Sequence, residues 1–447
     1  MTSERAAERS RFRSSRFKYV VDADDVRPRR RREEVYIDLI KRRPTRVLPQ
    51  SVLQGLGSDD TALQLEAMRE VKTVLSVAEQ EVPSIKKVVR SGVVPFIVQL
   101  LDRESCPQLQ FEAAWALSKI ISSGTSDNAD MVVDLGAVPI LVKLLSSPTT
   151  EDVREQAVQG LGSMALKSAA CRDKVLEHGA VAPLLQLLNA NPRLSLLKAI
   201  SNLCRGSPAP NFGHVKPTIP VLRQLIYSQD VEIISEACWA LSYLSDCTDD
   251  KITPVIIDNE SFPRLTEFLN KYHSPSLLIP VLRVIGNIAA SSSVQTQAVI
   301  DGNMIGPMVR LMQTASFNVR KEAVQAISKV TSSGTHDQIK YLVSEGCIKA
   351  FCDLLGYTDF SSILMLCLEG LGNILKAGVA EKSSGACTDN MYALMIEDAD
   401  MQKIEDLQDH RDFSVYEMAI NLIESYFEVE EIYEDVTSKE DAPQTPL

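Results

Sequence analysis

The sequence predicts an all-α protein, in which stacked helical repeats form a superhelix behind a basic N-terminal arm. Three observations support this prediction. Hydrophobic residues make up 45% of the 447 residues but aromatic residues only 6%, a balance typical of helices rich in Leu, Ile, Val and Ala. A glycine-marked motif recurs along the chain, with its first copies 44 and 43 residues apart. Positive charge is concentrated in the first 46 residues.

The arm and the rest of the chain carry opposite net charge. Residues 1–46 contain 15 Lys and Arg against 8 Asp and Glu, whereas the remaining residues contain 32 against 51. A basic arm beside an acidic body indicates that the arm binds an acidic partner or folds back onto the body. The acidic body argues against direct nucleic-acid binding, because phosphates require a basic surface.

Several repeats are marked by a glycine that is followed eight residues later by an apolar pair. The clearest copies begin at Gly92, Gly136, Gly179 and Gly346. Glycine commonly ends a helix in the left-handed conformation, and a proline shortly afterwards is tolerated in the first turn of the next helix. The motif therefore predicts a turn at each glycine, followed by a short helix.

A longer amphipathic helix follows each of these short helices. Nine copies share an apolar face and span 63–72, 111–120, 153–162, 195–204, 234–243, 279–288, 319–328, 364–373 and 415–424. A period of about 40–47 residues is typical of armadillo and HEAT repeats. Because one repeat cannot bury its apolar face alone, neighbours stack into a curved superhelix whose long third helices line a concave groove. We assign the fold as the right-handed superhelix of armadillo repeats. We assign residues 1–50 to the arm, 51–428 to about nine repeats and 429–447 to an acidic, disordered tail.

The two tryptophans of the chain, Trp115 and Trp239, occupy the same position in their repeats. The residues around them, 111–117 (Phe-Glu-Ala-Ala-Trp-Ala-Leu) and 235–246 (Ser-Glu-Ala-Cys-Trp-Ala-Leu-Ser-Tyr-Leu-Ser-Asp), resemble the importin α family. Residues 201–206 (Ser-Asn-Leu-Cys-Arg-Gly) do so as well, and the resemblance covers nearly the whole chain. It implies an adaptor that binds nuclear localisation signals of cargo in the groove and links them to importin β.

In that family the third helices carry Trp-x-x-x-Asn pairs on the groove face. Tryptophan rings hold the aliphatic stems of Lys and Arg with the cation over the ring. Asparagine bonds the backbone of an extended peptide, and nearby carboxylates take the ammonium groups. The resemblance implies that cargo is bound by Trp115, Asn202, Glu232, Glu236, Trp239, Tyr243, Arg283 and Asn287.

The chain departs from the family pattern in several repeats. Glutamine replaces tryptophan at Gln159 and Gln325, and Ser163 replaces the asparagine that would follow. Lysines stand at further groove positions, namely Lys119, Lys167, Lys198 and Lys329. One of the family's usual ten repeats is missing between residues 288 and 340. Because like charges repel a bound lysine, we predict weak binding of standard basic signals. Residual binding is expected on the fifth and sixth repeats.

The arm resembles the importin-β-binding segment of the family. It has a basic and aromatic start, an Asp-Ala-Asp turn, an arginine cluster, Glu-Glu and a basic amphipathic helix. The resemblance implies that importin β is bound by Arg13, Phe17, Arg29, Arg30, Arg31, Arg32, Lys41, Arg42 and Arg43. Pro44 ends the predicted helix early, so whether the arm also folds into its own groove stays open.

The remaining sequence features exclude other classes of protein. No dinucleotide, P-loop or hydrolase motif is present, so we expect no enzyme, no cofactor and no metal site. The nine cysteines form no Cys-x-x-Cys pair and are expected to be reduced, buried thiols. We expect no secretory signal and no membrane insertion.

The family resemblance also implies where the protein works. We expect it to shuttle between cytoplasm and nucleus, with association at the nuclear pore and an export receptor for recycling. Two alternatives stay open. One is an armadillo scaffold with an incidental basic arm, and the other is a specialised adaptor with weak or no binding of standard basic signals.

Overall fold

A computed structural model describes residues 48–77, 82–246, 261–272, 274–385 and 387–427. Within those ranges the chain is helical and contains no β-strand. The predictions for the arm up to residue 47 and for the tail from residue 428 lie outside the described residues. Contacts divide the chain into two units, Met1–Phe96 and Ile97–Leu447.

The first unit contains a pair of packed helices and a third helix. Its helices are α1 (Gln50–Leu56), α2 (Thr61–Val77) and α3 (Val82–Arg90), and α4 (Val94–Leu100) begins before its end. Helix α1 packs on α2, where Val52, Met68 and Val71 are buried. Helix α2 contains the first predicted long helix, 63–72.

The second unit repeats an arrangement of two shorter helices followed by a longer one. Its first half consists of α5 (Pro107–Ser123), α6 (Ser126–Asp134), α7 (Ala137–Ser146), α8 (Glu151–Lys167), α9 (Ala169–Glu177), α10 (Val181–Ala190), α11 (Leu194–Cys204), α12 (Phe212–Val215), α13 (Ile219–Leu225) and α14 (Val231–Ser245). Its second half consists of α15 (Phe262–Lys271), α16 (Pro275–Ser291), α17 (Ser293–Asp301), α18 (Ile305–Thr314), α19 (Phe317–Ser333), α20 (His336–Ser344), α21 (Cys347–Leu354), α22 (Ser361–Ser383), α23 (Met391–Asp400), α24 (Gln402–Glu405) and α25 (Phe413–Tyr426).

The predicted long helices of this unit form one continuous stack. We call α5, α8, α11, α14, α16, α19, α22 and α25 the inner helices. Each inner helix packs against the next one along the chain. At the α16–α19 contact, a Cβ on Gly286 would lie 2.9 Å from Ala326 Cα, so glycine permits the close approach. The predicted positions of the long helices are therefore confirmed.

The turn glycines adopt the conformation that the motif predicts. Gly92, Gly136, Gly179 and Gly346 have φ angles of 81°, 80°, 75° and 86°. This left-handed region is open to glycine but costly for other residues. Each of these glycines therefore ends one helix of a repeat and starts the next in the predicted place.

The cysteines lie mostly inside the helical stack. Eight described cysteines are free thiols. Six of them are buried, namely Cys171, Cys204, Cys238, Cys347, Cys352 and Cys367. Helix α22 is long and apolar enough to cross a membrane, but 61% of its most apolar window is buried inside the protein. Packing between neighbouring helices accounts for that composition.

Candidate peptide-binding groove

Helix α14 presents a stripe of acidic and aromatic side chains. Glu232, Glu236, Trp239 and Tyr243 follow one another at spacings of four, three and four residues, which places them on one helix face. The rings of Trp239 and Tyr243 stack with centroids 5.8 Å apart and planes inclined by 26°. Asp230 accepts hydrogen bonds from the first backbone N–H groups of α14, which fixes where the helix begins.

Arg283 of α16 covers the ring of Trp239. Its guanidinium carbon lies 5.1 Å from the ring centroid. The same guanidinium donates two hydrogen bonds to Glu322 of α19, from Nε at 2.8 Å and from Nη2 at 3.0 Å. These hydrogen bonds to the carboxylate of Glu322 raise the pKa of Arg283. A cation of the chain itself therefore lies over the ring that the sequence predicted for a cargo cation.

The other aromatic rings of the groove also have a cation from the chain beside them. Arg205 lies 5.5 Å from the centroid of Tyr243. Lys119 Nζ lies 6.0 Å from the centroid of Trp115, one turn along the same helix α5. The sequence analysis predicted the rings but not that Arg205 and Arg283 would cover them. For Arg283 the available signal was Glu322, a carboxylate on the next inner helix.

Asn287 was predicted to bind a peptide backbone, but the structure places it inside the stack. It is 5% exposed, and its Nδ2 donates to Ser242 O at 3.1 Å and Ser245 Oγ at 3.3 Å. Its Oδ1 accepts a 2.6 Å hydrogen bond from Lys329 Nζ. Burial lowers the pKa of Lys329. The amide of Asn287 thus joins α14 to α19 and has both ends bonded within the protein.

Asn202 and Lys167 also contact neighbouring inner helices. Asn202 Nδ2 donates to Gly162 O of α8 at 3.1 Å. Lys167 Nζ donates to Ser122 O at 2.9 Å and to Gly124 O at 2.8 Å. A lysine there stabilises the carboxyl end of α5, where carbonyl groups lack helical partners. Lys167 therefore has a structural role at the carboxyl end of α5.

A cavity of about 400 Å³ lies among α5, α8 and α11, and we call it the N-terminal cavity. It is lined by Trp115, Ser118, Lys119, Ser122, Gln156, Val158, Gln159, Gly162, Ser163, Leu194, Ser195, Lys198, Ala199 and Asn202. Two of these side chains are cationic, and none of the described lining residues is Asp or Glu. The predicted residues Trp115 and Asn202 are thus brought together, but with Lys119 and Lys198 beside them.

A second cavity of about 500 Å³ lies between α22 and α25. Its lining includes the carboxylates of Glu369 and Glu417, the amides of Asn373 and Asn421 and the amine of Lys376. Sequence reasoning did not single out these residues. Alignment of the repeats could have indicated them, because Asn373 occupies the position at which the family pattern has asparagine.

Comparisons with known proteins settle the family. The profile of the Armadillo/beta-catenin-like repeat matches residues 82–122, 125–166, 216–246 and 335–376, and that of the atypical Arm repeat matches 390–443. The chain is 45% identical to importin subunit alpha-1b of Oryza sativa subsp. japonica over 96% of this chain and 94% of that protein. It is 39% identical to importin subunit alpha-3 of Arabidopsis thaliana over 99% and 97%. The chain belongs to the importin α family.

An importin α is a nuclear import adaptor, and this chain therefore has that role. The alignment to the rice protein extends over 512 residues, more than the chain contains, so the relative has segments that this importin α lacks. Its inner helices from α5 to α25 nevertheless pack in unbroken succession. A crystal structure described as an engineered protein shares the fold, with a TM-score of 0.68, 24% identity and coverage of 83% and 97%.

Proposed function

We propose that this importin α holds an extended basic segment of its cargo against α14 and α16, while residues 1–46 bind importin β. The observation that carries the proposal is the stripe on α14. Glu232 and Glu236 supply two carboxylates beside the rings of Trp239 and Tyr243. Carboxylates and ring faces together suit the ammonium or guanidinium group of a cargo residue.

The same geometry supports weak binding of that basic segment. A cargo cation that stacks on Trp239 competes with Arg283, and one on Tyr243 competes with Arg205. Displacing Arg283 also separates it from Glu322, which is mostly buried. Because this exchange replaces one cation by another, the net gain in binding free energy is small.

Several further features belong to the same proposal. The adaptor shuttles through the nuclear pore and is returned to the cytoplasm by an export receptor. It makes no direct contact with nucleic acid, in keeping with its net charge of −12, and it carries out no catalysis. A second candidate function, a specialised adaptor for other signals, is favoured by the lysines of the N-terminal cavity.

The tryptophans provide the direct test of where basic cargo binds. We expect Trp239→Ala to weaken binding of a Lys/Arg-rich peptide by roughly twofold to fivefold, the worth of one exposed cation–π contact, and not by more because Arg283 already lies over that ring. Trp115→Ala is expected to have a smaller effect, because Lys119 and Lys198 line the cavity beside that ring and repel a cargo cation. Trp239, by contrast, shares its helix face with Glu232 and Glu236. Calorimetric titration of the full chain measures both, with thermal unfolding as a control for folding. A larger loss for Trp115→Ala would contradict this placement of the site.

A further inference from the structure

We propose that the N-terminal cavity binds an acidic residue of an extended cargo segment. The signal that this adaptor recognises would then contain both acidic and basic residues. The inference rests on the proposed peptide-binding function of the groove and specifies one part of the signal. It concerns the three inner helices α5, α8 and α11, which precede the acidic stripe on α14. The stripe carries the carboxylates of Glu232 and Glu236, whereas the cavity is lined by the cationic side chains of Lys119 and Lys198.

The charges that line the cavity carry the argument. Lys119 comes from α5 and Lys198 from α11, so the two amines approach the cavity from helices on either side of α8. Lys198 is exposed and has no ion pair among the described residues. The lining contributes no carboxylate from the part of the chain that the structure describes. A bound lysine would therefore meet repulsion here, and a bound carboxylate would meet attraction.

The nearest acidic side chain on α8 is already engaged. Glu155 accepts hydrogen bonds from Gln159 at 3.0 Å and from Ser195 at 3.0 Å. It also pairs with Arg193 at 3.5 Å. Its charge is thus paired with Arg193 beside the cavity.

The remaining polar lining suits the same kind of ligand. Ser118, Ser163 and Gln156 line the cavity beside the two lysines, and their hydroxyl and amide groups donate hydrogen bonds. Hydrogen bonds from such donors to an ionised oxygen are stronger than those to a neutral one. The ring of Trp115, which would otherwise attract a foreign cation, has Lys119 beside it.

The position of the cavity indicates an extended peptide as the occupant. Helix α11 packs directly on α14, and packed helices lie about 8–10 Å apart. An extended chain advances about 3.4 Å per residue, so roughly three residues separate a side chain at Lys198 from one at Trp239. The signal therefore carries an acidic residue about three positions from a basic one.

The test uses four peptides that share a Lys-Arg pair and differ at one residue three positions away, which is Lys, Gln, Glu or phosphoserine. Fluorescence anisotropy with the full chain measures their dissociation constants. We expect Glu to bind about 1.5-fold to fivefold more tightly than Gln, the range for screened surface charges, and Lys to bind more weakly than Gln. Tighter binding of phosphoserine than of Glu would support the proposal and identify phosphate as the preferred anion.

Charge reversal within the cavity supplies the matched variant. Lys198→Glu is expected to reverse the preference, so that the Lys peptide binds more tightly than the Glu peptide. Lys340→Glu, which alters an exposed lysine on α20, away from the residues that line the cavity, should leave the order unchanged. The proposal is overturned if Glu does not exceed Gln in the natural protein, or if Lys198→Glu leaves the order as it was.

One further variant separates failure of this inference from failure of the proposed function. If Trp239→Ala weakens the Gln peptide while Glu and Gln bind equally, the groove binds peptides and only the acidic subsite is wrong. If Trp239→Ala changes nothing, or if none of the four peptides binds, both proposals fail.

Discussion

Replacement of Arg29–Arg32 by alanine in the full chain is expected to abolish binding to importin β, with a loss of a hundredfold or more. The four guanidinium groups contribute more than half of the net charge of +7 that the first 46 residues carry. Hydrogen bonds to charged groups are each worth roughly 1.5–3 kcal/mol, so losing even two of them exceeds a hundredfold. Surface plasmon resonance with immobilised importin β measures the change.

The matched control for this cluster replaces the same four residues by lysine. Charge is then kept while the planar, two-pronged geometry of arginine is lost, so partial binding is expected. Binding by the natural chain should also weaken as ionic strength rises, because screening shortens the reach of each contact. Unchanged affinity of the alanine variant would favour the alternative of an armadillo scaffold with an incidental basic arm.

Arg283→Ala is expected to change stability and peptide binding in opposite directions. The free energy of unfolding should fall by about 2 kcal/mol, because the carboxylate of Glu322 loses two hydrogen bonds at a mostly buried position. Affinity for a Lys/Arg-rich peptide should rise severalfold, because the ring of Trp239 is uncovered. Denaturant unfolding and calorimetry measure the two effects on the same preparation.

A double variant tests whether Glu322 is the cause of the lost stability. Arg283→Ala combined with Glu322→Gln removes the buried charge, and most of the lost stability should return. The gain in peptide affinity should be smaller in this double variant, since Glu322 also attracts cations to the uncovered ring. A peptide that binds Arg283→Ala more weakly than the natural chain would show that Arg283 assists cargo binding instead of competing with it.

The repeat pattern predicted the helices because every repeat has the same local preferences for helices and turns. The copy at 234–243 lies within α14, and the glycine at position 136 adopts the left-handed turn. Helix periodicity and glycine conformation act over a few residues, so a single stretch of sequence is sufficient to indicate them. The register of the repeats then placed Trp115 and Trp239 on inner helices.

Contacts between repeats could not be predicted in the same way. The Arg283–Glu322 pair and the Lys329–Asn287 hydrogen bond join residues 39 and 42 positions apart. Which of several long side chains reaches across to the next helix depends on rotamers and packing. The sequence therefore placed Asn287 on the groove surface, whereas the structure buries it. The roles of the arm and of the groove residues toward importin β and cargo stay predictions.

The buried cysteines can serve as probes of local unfolding in this protein. Burial raises the pKa of Cys204 and of Cys238 to about 12, and only the thiolate reacts readily with alkylating reagents. Such a thiol is labelled when its repeat opens to solvent. Cys204 and Cys238 report on the middle of the second unit, and Cys347 and Cys352 on repeats nearer its end. Equal labelling rates would mean that the repeats of the second unit unfold cooperatively. Faster labelling of Cys347 and Cys352 would mean that unfolding begins at the carboxyl end.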